Sequence, residues 1–210
     1  GKVGITRREN ISDISLLEAC LRDDLNQKSN RVMAVLNPLK ITIENYPEGE
    51  TEYLEASNHP QNDSAGTRNL PFSKEIYIDR DDFMEQAPRK FYRLTEGREV
   101  RLRYAYFIKC EKVVKNPSTG QIEELVCSYD PSTKGGSAPD GRKVRATIHW
   151  VSAQHAIPAQ IMLYDRLCIE ENPDLPDEEN LDQILNPHSL ETISNAKVEP
   201  SLKDVQPLDI

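Results

Sequence analysis

Six of the sixteen residues from Pro88 to Arg103 are arginine or lysine: Arg89, Lys90, Arg93, Arg98, Arg101 and Arg103. Only two acids, Glu96 and Glu99, stand among them, and Phe91 and Tyr92 sit in the middle. These side chains suit one kind of chemistry. A guanidinium fork donates paired hydrogen bonds to phosphate oxygens and base edges, which the point charge of lysine cannot do. An aromatic face beside it stacks an unpaired base, a contact of about 1–3 kcal/mol. The segment therefore reads as a grip on single-stranded RNA. The plainer alternative is a solvated face whose arginines pair with Glu96 and Glu99.

The rest of the chain makes this segment stand out. Net charge is -9 over 210 residues, so a local excess of positive charge needs anionic neighbours or an anionic ligand. A protein that coats nucleic acid with its whole surface is excluded by that balance, whereas a local grip is not. Arg142, Lys143 and Arg145 form a second basic cluster after the turn Pro139-Asp140-Gly141. They read either as a further RNA contact or as decoration that keeps an edge strand soluble.

Other reactive types give weaker signals. His149 and His155 flank Trp150, but no third ligand stands at a recognised spacing, and a structural role is expected. His59 and His188 lie beside prolines in loops. No Gly-rich phosphate loop, G-x-S-x-G or H-E-x-x-H string occurs. No catalytic residue and no metal site are expected in this chain. Cys20, Cys110, Cys127 and Cys168 form no close pair, which points to reduced thiols of a cytoplasmic protein. No apolar run nears the roughly 20 residues of a membrane span, so no membrane partner is expected. The start Gly1-Lys2-Val3-Gly4 reads as a chain cut from a longer one.

The elements that must position the basic residues are mostly short strands. Residues 12–25 predict a helix, with Ile14, Leu17, Leu21 and Leu25 on one stripe. Ser15 to Glu18 fits a capping box, with Ser12 and Asp13 as alternative caps. Beyond Asn30 the period changes to two. Ile41 and Ile43 alternate with polar residues, as do Ile76 and Ile78. Val144, Ala146, Ile148 and Trp150 share one strand face; Arg145, Thr147 and His149 share the other. In Val100-Arg101-Leu102-Arg103 the same period puts both arginines opposite the core side. Asp81 or Asp82 would cap a short helix that Pro88 ends or bends. Asn58–Arg68 and Asp130–Gly141 read as long polar loops. Glu170–Glu179 carries six acids in ten residues, before a short helix bearing Leu181, Ile184 and Leu185. Many short strands between turns favour sandwiches or barrels, and two barrels fit the strand count, with a boundary in the eighties.

Eight runs spell a resemblance. They are Arg31–Lys40, Ile43–Tyr46, Asn58–Pro60, Glu75–Arg80, Gly97–Arg103, Thr147–Ala153, Leu163–Leu167 and Glu199–Asp204. In this order they strongly resemble the C-terminal, anticodon-binding half of bacterial glutaminyl-tRNA synthetases. The resemblance implies a mainly β fold: two β-barrels, of the architecture also used by the ribosomal proteins that hold 5S ribosomal RNA, after a short α-helical segment. It implies that 1–30 are the tail of a helical subdomain. Residues 31–85 with 150–210 would form a truncated proximal barrel, and 86–149 a distal one inserted in it.

The same resemblance implies the roles of individual residues. Arg31 matches an arginine that contacts the middle anticodon base. Arg93 matches the arginine that reads the third base, and Arg101 and Arg103 the pair that holds the first base and its phosphate. Lys90 and Tyr92 stand where well-known members carry Gln and Lys, so their contacts are expected to differ. The family continues beyond Ile210 with a strand holding a Gln and an Arg that help read the middle base. The implied partner is the anticodon loop of glutamine tRNAs, bound by a monomer. No cofactor is implied for this chain; ATP belongs to the catalytic domain of the parent enzyme. Two rival readings share the architecture: the anticodon-binding region of an archaeal or eukaryotic glutamyl-tRNA synthetase, and a structural RNA-binding barrel of ribosomal type. A protein-interaction module using Glu170–Glu179 is the third.

Overall fold

The computed structural model describes residues 13–170 and 183–206. Among the described residues one α-helix, α1 (Ile14–Lys28), precedes twelve strands. In chain order these are β1 (Ala34–Val35), β2 (Pro38–Ile43), β3 (Thr51–Ser57), β4 (Thr67–Ser73), β5 (Glu75–Asp79) and β6 (Glu99–Leu102). They continue with β7 (Phe107–Lys115), β8 (Ile122–Asp130), β9 (Thr147–Ile148), β10 (Val151–Ser152), β11 (Ile157–Tyr164) and β12 (Leu190–Val198). The mainly β expectation holds.

Helix α1 starts where a capping side chain stands. Of the possible caps it is Asp13 that acts, accepting from Ser15 N at 2.8 Å. Hydrogen bonds from the Ser15 side chain and then from its backbone N–H hold the Asp13 carboxyl below its usual range. The apolar stripe forms as its spacing requires, yet Ile14, Leu17 and Leu21 are all exposed. The predicted acidic loop lies largely outside the described residues, as does Leu181. No helix among the described residues is long and apolar enough to cross a membrane.

The chain divides into two compact units. One comprises the described parts of 1–30 and 162–192, and within it Arg166 pairs with Asp13 at 3.1 Å. The other comprises 31–161 and the described part of 193–209, and it holds the basic segment.

The larger unit is built on a curled, half-barrel sheet of seven strands in the order β10-β5-β2-β8-β7-β6-β9. The joints β2·β8 and β6·β9 are parallel and the rest antiparallel. β3 and β4 form a separate long hairpin, from Thr51↔Ser73 to Ser57↔Thr67. The third sheet has the order β1-β12-β11.

Period-two residues fill the core, as alternating side chains on a half-buried strand must. Ile41, Ile43, Ile76, Ile78, Val100 and Leu102 are wholly buried. Aromatic rings pack edge-on at its centre: the Phe72 ring centre lies 5.1 Å from that of Trp150 and 5.2 Å from that of Tyr46, in the edge-to-face geometry that ring quadrupoles favour. Trp150 donates its indole N–H to Arg103 O at 2.9 Å, so burial leaves no orphan donor.

Three local expectations change. The strand predicted over Val144–Trp150 pairs only at Thr147–Ile148, although burial still alternates along the whole stretch. Asn58–Arg68 is not a plain loop: Asn62 caps a 3-10 turn over Asp63–Ala65, and β4 has begun by Thr67. The helix expected after Asp81 is a single 3-10 turn, Arg80–Asp82, capped by Asp79. The competition is won by Asp79 because its carboxylate also accepts from Leu36 N and Asn37 N, at 3.1 and 3.3 Å. That sets the cap at Asp79, ahead of the Asp81 or Asp82 that the sequence suggested.

Candidate nucleic-acid interface

The basic segment leaves the core and returns to it through one clasp. Phe83 and Leu94 are buried and bridge each other, with Met84 N donating to Leu94 O and Leu94 N to Asp82 O. Between these anchors the chain turns at Pro88–Phe91. Arg89, Lys90, Tyr92 and Arg93 are thereby held at the surface. Arg93 lies 3.1 Å from Asp82, whose carboxyl is raised by burial, although the guanidinium pulls it the other way. A turn at Gly97, with φ of 75°, then feeds the chain into β6.

Tyr92 and Arg93 line a groove of about 630 Å3 together with Arg89, Arg98, Lys109, Lys143 and Arg145. One carboxylate, Glu99, borders it. Glu99 is engaged by Arg142 at 3.1 Å. A volume of this size holds a nucleotide, and its walls offer what a nucleotide needs: cations for phosphate and an aromatic face for a base.

Arg31 and Arg103 meet elsewhere, in a hollow of about 310 Å3 with Arg68, Tyr104 and His149. The Arg103 guanidinium lies over the Tyr104 ring, 5.9 Å from its centre. Tyr104 has φ of 64°, a left-handed conformation that costs a bulky residue about 1–2 kcal/mol and marks positions where geometry is imposed. Partial desolvation, and then the nearby Arg103 charge, push the His149 imidazole below its ordinary value. Arg68 is committed to Glu199, Nε to Oε1, at 2.5 Å.

Two of the six predicted residues lie outside both hollows. Lys90 is exposed on the loop. Arg101, in β6, runs beneath Gly136, where its Nε is buried without a hydrogen-bond partner among the described residues. The expected common surface is thus divided: Tyr92 with Arg93, Arg31 with Arg103, and Arg101 apart.

The second basic cluster also splits. Arg142 is a clamp. It pairs with Glu99, Asp140 and Asp130, and lies over the Phe107 ring at 5.4 Å. Lys143 and Arg145 face the larger groove instead. Sequence reading missed Tyr104, Arg68 and His149 as neighbours of the arginines. No local pattern in the sequence marks them as such. Among the described residues no group of His, Cys, Asp and Glu could hold a metal ion.

Comparison with known proteins points to one family. The family model described as tRNA synthetases class I (E and Q), anti-codon binding domain, matches residues 29–130, and a second model of the same description matches 147–210. The glutamine–tRNA ligase of Bradyrhizobium diazoefficiens is 55% identical over 203 residues, 97% of this chain and 36% of the relative. That of Photobacterium profundum is 51% identical over 202 residues, covering 96% and 36%. That of Clostridium kluyveri is 48% identical over 204 residues, covering 97% and 36%. The chain thus spans a little over a third of the length of the curated relatives it matches.

Proposed function

The chain belongs to the anticodon-binding domains of the class I (E and Q) tRNA synthetases, and from that premise we propose that it recognises the anticodon loop of glutamine tRNAs. The observation that carries this reading is the convergence of arginines and an exposed tyrosine on one groove of an otherwise acidic chain. Single-stranded RNA is recognised by splaying bases out, stacking them on aromatic or guanidinium planes and reading their edges. In this account Arg93 reads the third base in the larger groove, with Tyr92 beside it. Arg31 reads the middle base, and Arg103 holds the first base and its phosphate in the smaller hollow. Arg101 supports the first-base contact, and Lys90 adds charge on the loop.

The relatives named glutamine–tRNA ligase, at 48–55% identity, favour glutamine over glutamate. The parent enzyme would join glutamine to its tRNA with ATP in a catalytic domain elsewhere in a monomeric, cytoplasmic protein. We also propose that 86–149 form the distal barrel, and 31–85 with 150–210 the proximal one. In support, β8, β7, β6 and β9 occupy one end of the seven-stranded sheet, and β10, β5 and β2 the other.

Titration of the chain with a glutamine anticodon stem-loop at several salt concentrations tests the reading. Binding whose log affinity falls linearly with log salt is expected. Absent or salt-indifferent binding would contradict it.

A further inference from the structure

The larger groove has a wall for which the family reading has no role. Lys143 and Arg145 come from the stretch after the 138–141 turn, and line the same groove as Arg93. The Arg145 guanidinium lies over the Tyr92 ring, 5.2 Å from its centre. Tyr92 is nevertheless 49% exposed. Its phenol is therefore covered by a cation on one part and open on another.

The charges around this pair are not alike. Arg142 has three carboxylates, Arg93 has Asp82, and Lys109 has Glu111 at 3.0 Å. Arg89, Lys143 and Arg145 have no ion pair among the described residues, and all three are exposed. In a chain of net charge -9 with acids available, cations left uncompensated around one groove are matched to an anion from outside.

We infer that Tyr92 and Arg145 act as one stacked unit that seats a single unpaired base of a bound RNA, with Lys143 holding the adjoining phosphate. The inference rests on the RNA-binding reading above and adds to it a positioning residue, Arg145, and a phosphate contact, Lys143. Arg145 fixes the plane of Tyr92 before the base arrives, so the ring loses little freedom on binding. The planar guanidinium is required, because a lysine ammonium keeps the charge without the extended stack.

The test uses the whole chain and a glutamine anticodon stem-loop with 2-aminopurine at each loop position in turn, read by fluorescence and by affinity. Tyr92→Ala and Arg145→Ala should each weaken binding about five- to a hundred-fold. The double variant should be little weaker than the worse single one, because the two side chains form one unit. Tyr92→Phe should bind as the parent does, and Arg145→Lys should recover only part of the loss. Quenching at one loop position should vanish in Tyr92→Ala and shrink in Arg145→Ala. Lys143→Ala should lower the slope of log affinity against log salt by about 0.7. Each side chain is exposed, so melting temperature should not move and loss of fold can be told apart.

The inference is overturned if Arg145→Ala binds like the parent while Arg93→Ala does not; anticodon recognition would then stand without it. It is also overturned if the two losses add in full, which would make Arg145 an independent charge. If the unaltered chain ignores the stem-loop at every salt concentration, the RNA reading fails and the inference with it.

Discussion

Arg101 runs so close beneath Gly136 that a Cβ on the glycine would stand 2.5 Å from Arg101 Cδ and 3.3 Å from its Nη1. Gly136 also has φ of 87°, so both its missing side chain and its backbone freedom are used. The arginine is thereby set by the loop above it. Gly135 beside it has φ of 78° and open space around its Cα.

Gly136→Ala and Gly135→Ala should consequently differ. Both incur the left-handed strain of about 1–2 kcal/mol. Only Gly136→Ala must also displace Arg101, so it should destabilise further and change affinity for the stem-loop. Denaturant midpoints and binding constants of the two variants check this. Equal effects would show that the close approach is relaxed without consequence.

Glu199 is the second point where a loop is held by a charge. Its carboxylate is 2% exposed, pairs with Arg68 and accepts from Met33 N at 2.7 Å. Removing one partner of a buried pair strands the other. Glu199→Gln should therefore lower unfolding free energy by about 3–5 kcal/mol. A loss below about 1 kcal/mol, measured by denaturant unfolding, would mean that Arg68 finds solvent unaided.

Acid should loosen the 130–142 segment first. Hydrogen bonds from Arg142 and then Ser132 hold the Asp130 carboxyl down to about 2, from an ordinary value of 3.8. A depressed folded value adds stability that is fully present above pH 3.8 and is lost as pH falls toward 2. The unaltered chain should thus lose stability more steeply than Asp130→Asn over that window. Parallel pH profiles would rule out the clamp as the cause.

How far such features could be read in advance depended on their range. Val100, Leu102, Ile76 and Ile78 were legible because alternation reports burial directly. So was Trp150, which continues the alternation of Val144, Ala146 and Ile148. Arg142 and Arg145 were not separable, since their fates depend on which acids and rings another strand or loop brings opposite. Arg101 read as a surface arginine because no local pattern announces that Gly136 will cover it. The strained Tyr104 left no trace at all: left-handed backbone in a bulky residue is imposed by packing. Asp79 was passed over as a cap because its other two partners, Leu36 and Asn37, lie more than forty residues away.

The two hollows should separate in mutagenesis. Arg93→Ala should cost about 1–3 kcal/mol and relax discrimination at one base. Arg103→Ala should weaken all stem-loops more evenly and reduce the salt slope by about 0.7. Base-substituted stem-loops titrated against both variants check the assignment. Uniform loss in Arg93→Ala would make it a phosphate contact instead.

The central claim is that the chain reads an anticodon, and paired titrations test it most directly. A stem-loop with the glutamine anticodon and one with a swapped triplet should be compared at two salt concentrations. The account predicts tighter binding of the native triplet, with a ratio that survives the higher salt while both affinities fall. Equal affinities for the two stem-loops at both concentrations would contradict it, leaving a basic surface without base recognition.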